Sequence, residues 1–203
     1  LIGLVGSEMC IRDRTNGGDY GTLTRITVSA GQTTGTVAFD PTDDSVYEGN
    51  ETAVISISSV SGADAAESGS QSVTITITEN DSSPTITLTS SDSSIAENAG
   101  SSLTLTATSS IAADEDITVT ISTSGTGIEG TDYGTISDIT ISAGATTGTA
   151  TFTPTDDSVY EGNETATITM ASITGADEGS TTSQTITITC LLYTSDAADD
   201  TRS

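Results

Sequence analysis

The chain has 203 residues, with 29 acids, four basic residues (all arginine) and no histidine, for a formal charge of −25. That balance leaves no basic surface for nucleic acid or anionic lipid. Without histidine or a nucleophile–base pair the means for acid–base or covalent catalysis are poor, and an enzyme is not expected.

No apolar run approaches the roughly 18 residues of a membrane span, so direct membrane insertion is not expected. Aromatics make up 3% of the chain and tryptophan is absent, which predicts a thin, aliphatic core. Strict alternation, as in VTITI at 73–77 and PTITLT at 84–89, is what half-buried strands require, and it argues for order.

Taken in order, residues 1–14 differ in character from the body of the chain. Both cysteines, Cys10 and Cys190, and three of the four arginines lie in the two flanks, 1–14 and 190–203. The segment 4–14 resembles a translated transposase adapter, and 190–199 resembles its opposite-strand partner. Both flanks are therefore expected to be foreign to the fold, as a fusion scar would be, with the natural N-terminus upstream. On this reading the cysteines carry no disulfide information.

Residues 15–83 read as the back part of one repeat. An alternating pair at 23–28 and 36–39 predicts a hairpin, followed by an acidic loop and strands at 53–57 and 73–78. The turn-rich, proline-closed ENDSSP at 79–84 marks the domain boundary. Residues 84–189 form a nearly full repeat, with new strands predicted at 85–89, 103–108 and 117–122 and a turn at 95–100 that carries Glu97.

The block PTDDSVYEGNETA occurs at 41–53 and again, unchanged, at 154–166, and residues 19–53 and 132–166 agree at 27 of 35 positions. An offset of 113 is longer than solenoid periods and near the size of a small sandwich domain, so it predicts tandem domains. Each copy places two aspartates, then a glutamate four residues on, then another three further (Glu51 and Glu164), just past a strand. Clustered carboxylates repel unless a cation sits among them, which points to calcium. Short strands with frequent turn signals predict an all-β fold of tandem antiparallel β-sandwiches in Greek-key topology. The first copy lacks its opening three strands and is expected to be a truncated sheet with exposed edges.

These residues resemble the Calx-beta repeat, which implies that each sandwich is immunoglobulin-like. The matching motifs are AENAG at 96–100, GTDY at 130–133, F-x-P-T-D-D-x-x-x-E-x-x-E from Phe39 and Phe152, and ITEND at 77–81. The resemblance implies calcium held by carboxylates gathered at one end of the sandwich. In the second copy it implies Glu97, Asp132, Asp156, Asp157 and Glu161; in the first, Asp19, Asp43, Asp44, Glu48, Glu79 and Asp81. The first copy has no counterpart of Glu97, and the period puts the second copy's counterparts of Glu79 and Asp81 at 192 and 194. The four tyrosines of the two copies, Tyr20, Tyr47, Tyr133 and Tyr160, are read as packing or corner residues.

The implied function is a calcium-binding structural and adhesive repeat of a large extracellular or cell-surface protein. Its expected partners are calcium ions, neighbouring repeats and a cell-surface or matrix ligand. The alternatives are a regulatory calcium sensor of a membrane protein and a metal-independent acidic spacer.

Overall fold

The computed structural model describes residues 7–12 as backbone, and 18–62, 65–69, 71–157 and 159–190 in full. Of the two predicted flanks, 1–6, 13–14 and 191–203 lie outside the described residues, as do residues 15–17 of the body. The chain divides into two compact units, residues 1–81 and 82–203. No helix long and apolar enough to cross a membrane is found among the described residues.

The first unit contains β1 (Ser7–Arg12), β2 (Val46–Tyr47), β3 (Glu51–Val60) and β4 (Ser72–Ile77). β1, β3 and β4 form one antiparallel sheet with β3 in the middle. Residues 7–12, set aside on sequence grounds as foreign to the fold, thus supply one of its outer strands. Among the described side chains of this unit apolar burial is slight, and Tyr20 and Ala53 are the fully covered ones.

The second unit contains β5 (Thr85–Ser90), β6 (Ser94–Ala96), β7 (Leu103–Ser109), β8 (Ala112–Ala113), β9 (Ile117–Gly125), β10 (Ile139–Ile141), β11 (Thr147–Phe152), β12 (Glu164–Thr174), β13 (Asp177–Glu178) and β14 (Ser183–Thr189). They build a five-stranded sheet ordered β10-β9-β12-β14-β6 and a four-stranded sheet ordered β11-β7-β5-β13. This is the expected immunoglobulin-like Greek-key sandwich. Strand period drives it: in β11 the side chains alternate exposed and buried along TGTATF, so that Gly148, Ala150 and Phe152 face inward. Threonine and serine take the wet side, and Ile86, Leu88, Leu105, Val119, Ile168 and Ile186 fill the space between the sheets.

The structure corrects the predicted hairpin. In the second unit the counterparts of 23–28 and 36–39 belong to β10 and β11, which enter opposite sheets, pairing with β9 and β7 respectively. The segment is a corner crossing from one sheet to the other, because Ile139 and Ile141 must face Phe152 across the core. A Cβ at Gly148 would overlap the Thr140 carbonyl oxygen, and one at Gly35 would overlap that of Thr27. Both copies therefore make the same close turn. In the first unit residues 23–28 and 36–39 form no strand, and Ile26 makes a single β-bridge.

Candidate metal centre

Two short bridges deliver each acidic loop to its site. In the second unit the Gly134 N–H donates to the Thr153 carbonyl and the Thr155 N–H to the Asp132 carbonyl, both at 2.9 Å. In the first unit Gly21 donates to Asp40 at 3.0 Å and Thr42 to Asp19 at 2.9 Å. Beneath each bridge a tyrosine packs on the phenylalanine that precedes the loop. Tyr133 stacks on Phe152 at 4.9 Å between ring centroids, and Tyr20 lies on Phe39 at 5.0 Å. The aspartate before each tyrosine is thereby held beside the glutamates that end the loop and open β3 or β12.

The result is the same carboxylate trio twice. Asp19, Glu48 and Glu51 bring one oxygen each within 4.8 Å of one another, and so do their repeat counterparts Asp132, Glu161 and Glu164. A second trio in the second unit, Glu97, Asp157 and Glu161, meets the same limit. Glu161 belongs to both. Glu97 reaches its place because β6 runs parallel to β14, where the Glu97 N–H donates to the Thr189 carbonyl at 3.0 Å.

Of the residues expected from sequence, Glu97, Asp132, Asp157 and Glu161 converge in the second unit. Asp156 stands outside both trios and lines, with Glu97, a neighbouring cleft of about 210 Å³. In the first unit Asp19 and Glu48 converge, and Asp44, Glu48, Glu79 and Asp81 share a small pocket of about 30 Å³, room for one water or ion. Asp43 instead accepts a 2.8 Å hydrogen bond from the Asn80 side chain and does not line that pocket. Glu51 and Glu164 extend the expected set. Their signal is spacing: each is the first residue of the strand leaving the loop, which fixes it more firmly than the loop fixes its neighbours. Glu51 is only 4% exposed and Asp132 only 7%.

Glu79 works through the backbone. Its Oε2 accepts the N–H groups of Glu48 and Gly49 at 2.6 and 2.7 Å, and its Oε1 those of Asn80 and Asp81 at 2.8 Å each. Burial acts to raise the Glu79 pKa, and these four donors outweigh it, holding the group below its ordinary value of 4.5. The structure also moves its counterpart. β3 and β4 place Ala53 opposite Ile75, and β12 and β14 place Ala166 opposite Ile186. The strand offset is thus 111, because the connecting loop is two residues shorter, and the equivalent of Glu79 is Cys190 and not residue 192. Asp81's equivalent, likewise two residues earlier than expected, lies outside the described residues. Cys190 gives the loop only a long Sγ contact of 3.9 Å to the Val159 carbonyl.

Glu161 is pushed above 4.5 by loss of hydration and then by the charges of Asp132, Asp157 and Glu97. Glu164 is raised by burial first, then by Asp132 and the hydrogen bond shared with it, and by Glu161 and Glu97. A raised carboxyl contributes stability that is complete below the unfolded value and is lost as pH rises through the folded one. Acidifying the chain from neutral in chelator should therefore raise the unfolding midpoint of the second unit, and Glu161→Gln should flatten the rise. Glu79 has the opposite sign: its contribution is present above 4.5 and is lost as pH falls through its depressed folded value. Thermal unfolding across pH in chelator checks both; a midpoint of the second unit that falls steadily on acidification would contradict the repulsion.

The donor set is oxygen only, which suits a hard cation. Calcium holds oxygens at roughly 2.3–2.6 Å, so ligands on opposite sides of the ion stand about 5 Å apart. Trios whose oxygens all lie within 4.8 Å of one another fit that sphere. Asp19 Oδ2 is buried with no hydrogen-bond partner, as befits an oxygen facing a cation. The residues present therefore fit calcium.

The family model of the Calx-beta domain matches residues 13–81 and 79–191. Among solved structures the chain is similar to the apo form of the Calx CBD1 domain, at 19% identity and a TM-score of 0.45, covering 53% of this chain and 98% of that one. A search of curated proteins finds no match.

Proposed function

This chain belongs to the Calx-beta domain family, a calcium-binding type of β-sandwich, and from that premise we propose that its acidic loops bind calcium and that the repeat serves as a structural and adhesive segment of an extracellular or cell-surface protein. The observation that carries the reading is the convergence of an aspartate with two glutamates, from segments about thirty residues apart, in both copies. Within the trio the carboxylates stand close enough to repel, and Asp19 Oδ2 is buried without a hydrogen-bond partner, an arrangement that a cation relieves and a merely solvated loop would avoid. The second unit adds a second trio through Glu97, so its end gathers five carboxylates, with Glu161 shared between the two trios.

Calcium acts here by charge neutralisation. Residues 15–189 carry 24 acids against Arg25 alone, and their mutual repulsion loosens loops that the thin core holds weakly. In the first unit Glu79 and Asp81 sit at the very end of the compact body. A cation in their pocket fixes the residues from which the chain leaves, which is how a spacer stiffens.

Calorimetric titration of the full chain, with small-angle scattering at each end point, tests the proposal. Calcium should bind saturably, magnesium much more weakly because it demands tighter octahedral geometry, and scattering should narrow the range of shapes. An absence of saturable binding would leave the plain acidic spacer. Binding without any change in scattering would count against the spacer mechanism and favour a regulatory sensor.

A further inference from the structure

Phe39, Asp40 and Pro41 lead into the first acidic loop, and Phe152, Thr153 and Pro154 lead into the second. The backbone is arranged alike at both places. Tyr20 bridges to Pro41, and Tyr133 to Pro154. Within each bridge the carbonyl oxygen before the proline is held by one donor: Asp40 accepts the Gly21 N–H at 3.0 Å, and Thr153 the Gly134 N–H at 2.9 Å. What differs is the side chain. The Thr153 hydroxyl shares a 2.8 Å hydrogen bond with that of Ser102. Asp40 is exposed, and its carboxylate is not spent on a hydrogen bond to any described residue.

An aspartate before proline carries most of a cleavage reaction in one dipeptide. The side-chain carboxylate reaches its own main-chain carbonyl by closing a small, unstrained ring, an attack that has the full advantage of proximity. Proline supplies a tertiary amide with no N–H, and its nitrogen takes up a proton more readily than an ordinary peptide nitrogen as the bond to it breaks. The remaining need is to stabilise charge on the carbonyl oxygen. The Gly21 N–H is already aimed there, and a hydrogen bond to an oxyanion is stronger than one to a neutral carbonyl. No step calls for histidine, which the chain lacks.

We propose that the folded chain cleaves itself between Asp40 and Pro41. One Asp40 Oδ attacks the Asp40 carbonyl carbon, and negative charge collects on the oxygen held by Gly21. Collapse breaks the C–N bond: the Pro41 nitrogen leaves with a solvent proton, and Asp40 is left as a cyclic anhydride. Water then adds to the anhydride, restores both carboxyl groups and returns a proton, so the net reaction is hydrolysis of one peptide bond by one water. The cut falls between Asp19 and the two glutamates of its trio, and so severs the chain connection within that site. The second copy stays whole, because a threonine hydroxyl cannot form the anhydride.

The test is intact-mass spectrometry of the full chain over time in mildly acidic buffer, with and without urea, the fold being followed by circular dichroism. Fragments 1–40 and 41–203 are expected. They should form at least about tenfold faster in the folded chain than in urea, since one preorganised donor is worth roughly a hundredfold or more in rate. Asp40→Thr, which copies the residue of the second unit, should abolish the cut, and Thr153→Asp should create another before Pro154. Cleavage as fast in urea as in the folded chain would overturn the proposal, because it would be the ordinary lability of the dipeptide. A folded chain that stays uncut, or a cut that survives Asp40→Thr, would overturn it equally.

Discussion

Calcium at a hundredfold excess over its dissociation constant raises the unfolding midpoint of the second unit by roughly 10–20 °C, and Glu161→Gln removes most of that gain. The size follows from linkage: a ligand at that excess adds about 2.7 kcal/mol, and each kcal/mol moves the midpoint of a domain this size by about 4–8 °C. The choice of residue follows from geometry, since Glu161 is the one carboxylate common to both trios of the second unit. In chelator the same substitution should act in the opposite direction and raise the midpoint. It removes a charge that Asp132, Asp157 and Glu97 repel, while glutamine keeps the shape of the side chain. Glu178→Gln, on exposed β13, should shift neither condition. Differential scanning calorimetry with calcium and with chelator reads all of this. A loss from Glu161→Gln that is equal in both conditions would mean that the residue is merely structural.

Phe152→Ala costs about 3–5 kcal/mol of stability and weakens calcium binding, although phenylalanine offers no ligand. Phe152 is fully buried in a core that has no tryptophan and few other rings, so the vacated space has little to collapse into it. Its ring supports Tyr133, and Tyr133 is the residue next to Asp132, the buried member of the trio with Glu161 and Glu164. Losing the stack frees the segment whose two hydrogen bonds, Gly134 to Thr153 and Thr155 to Asp132, dock the acidic loop. Phe39→Ala is the internal comparison. Phe39 occupies the same position of the first copy but is only half-covered, so its loss should be clearly smaller. Urea unfolding gives the stabilities and calorimetric titration the calcium response. Equal losses at the two positions would mean that the missing strands do not matter to packing.

Much of the candidate site is legible in the sequence. The duplicated PTDDSVYEGNETA block marks the loop, and the carboxylates at Glu48 and Glu161 carry the spacing that the structure brings together. Asp19 and Asp132 are harder to read, because an aspartate before tyrosine and glycine also suits an ordinary turn. Their role depends on a bridge to residues about twenty positions away. Glu51 and Glu164 are visible as spacing, yet nothing local shows that they turn toward the loop and not toward solvent. Asp43 and Asp156 show the reverse: each is adjacent to a residue of the site, and the turn aims it elsewhere. Asp43 meets the Asn80 side chain, while Asp156 faces the neighbouring cleft.

The strands at 85–90, 103–109 and 117–125 follow from alternation of β-branched residues with threonine and serine, a pattern that is local and therefore readable. Which sheet each strand joins is not local. Residues 139–152 look like a hairpin because two alternating runs flank a glycine turn; the need to cover both sides of one core sends β10 and β11 to opposite sheets. The loop between β12 and β14, two residues shorter than its counterpart, moves the equivalent of Glu79 to Cys190, and only backbone pairing reveals that shift.

By itself the sequence determined the repeat, the strand period, the acidic loops and the class of cation they suit, since each depends on residues close together along the chain. Tertiary structure alone decided which carboxylates come together, that Glu161 belongs to two trios, and that β10 and β11 enter opposite sheets. Those outcomes depend on pairing between segments tens of residues apart, where one closed sheet and one covered core leave a single arrangement among many that the local pattern allows.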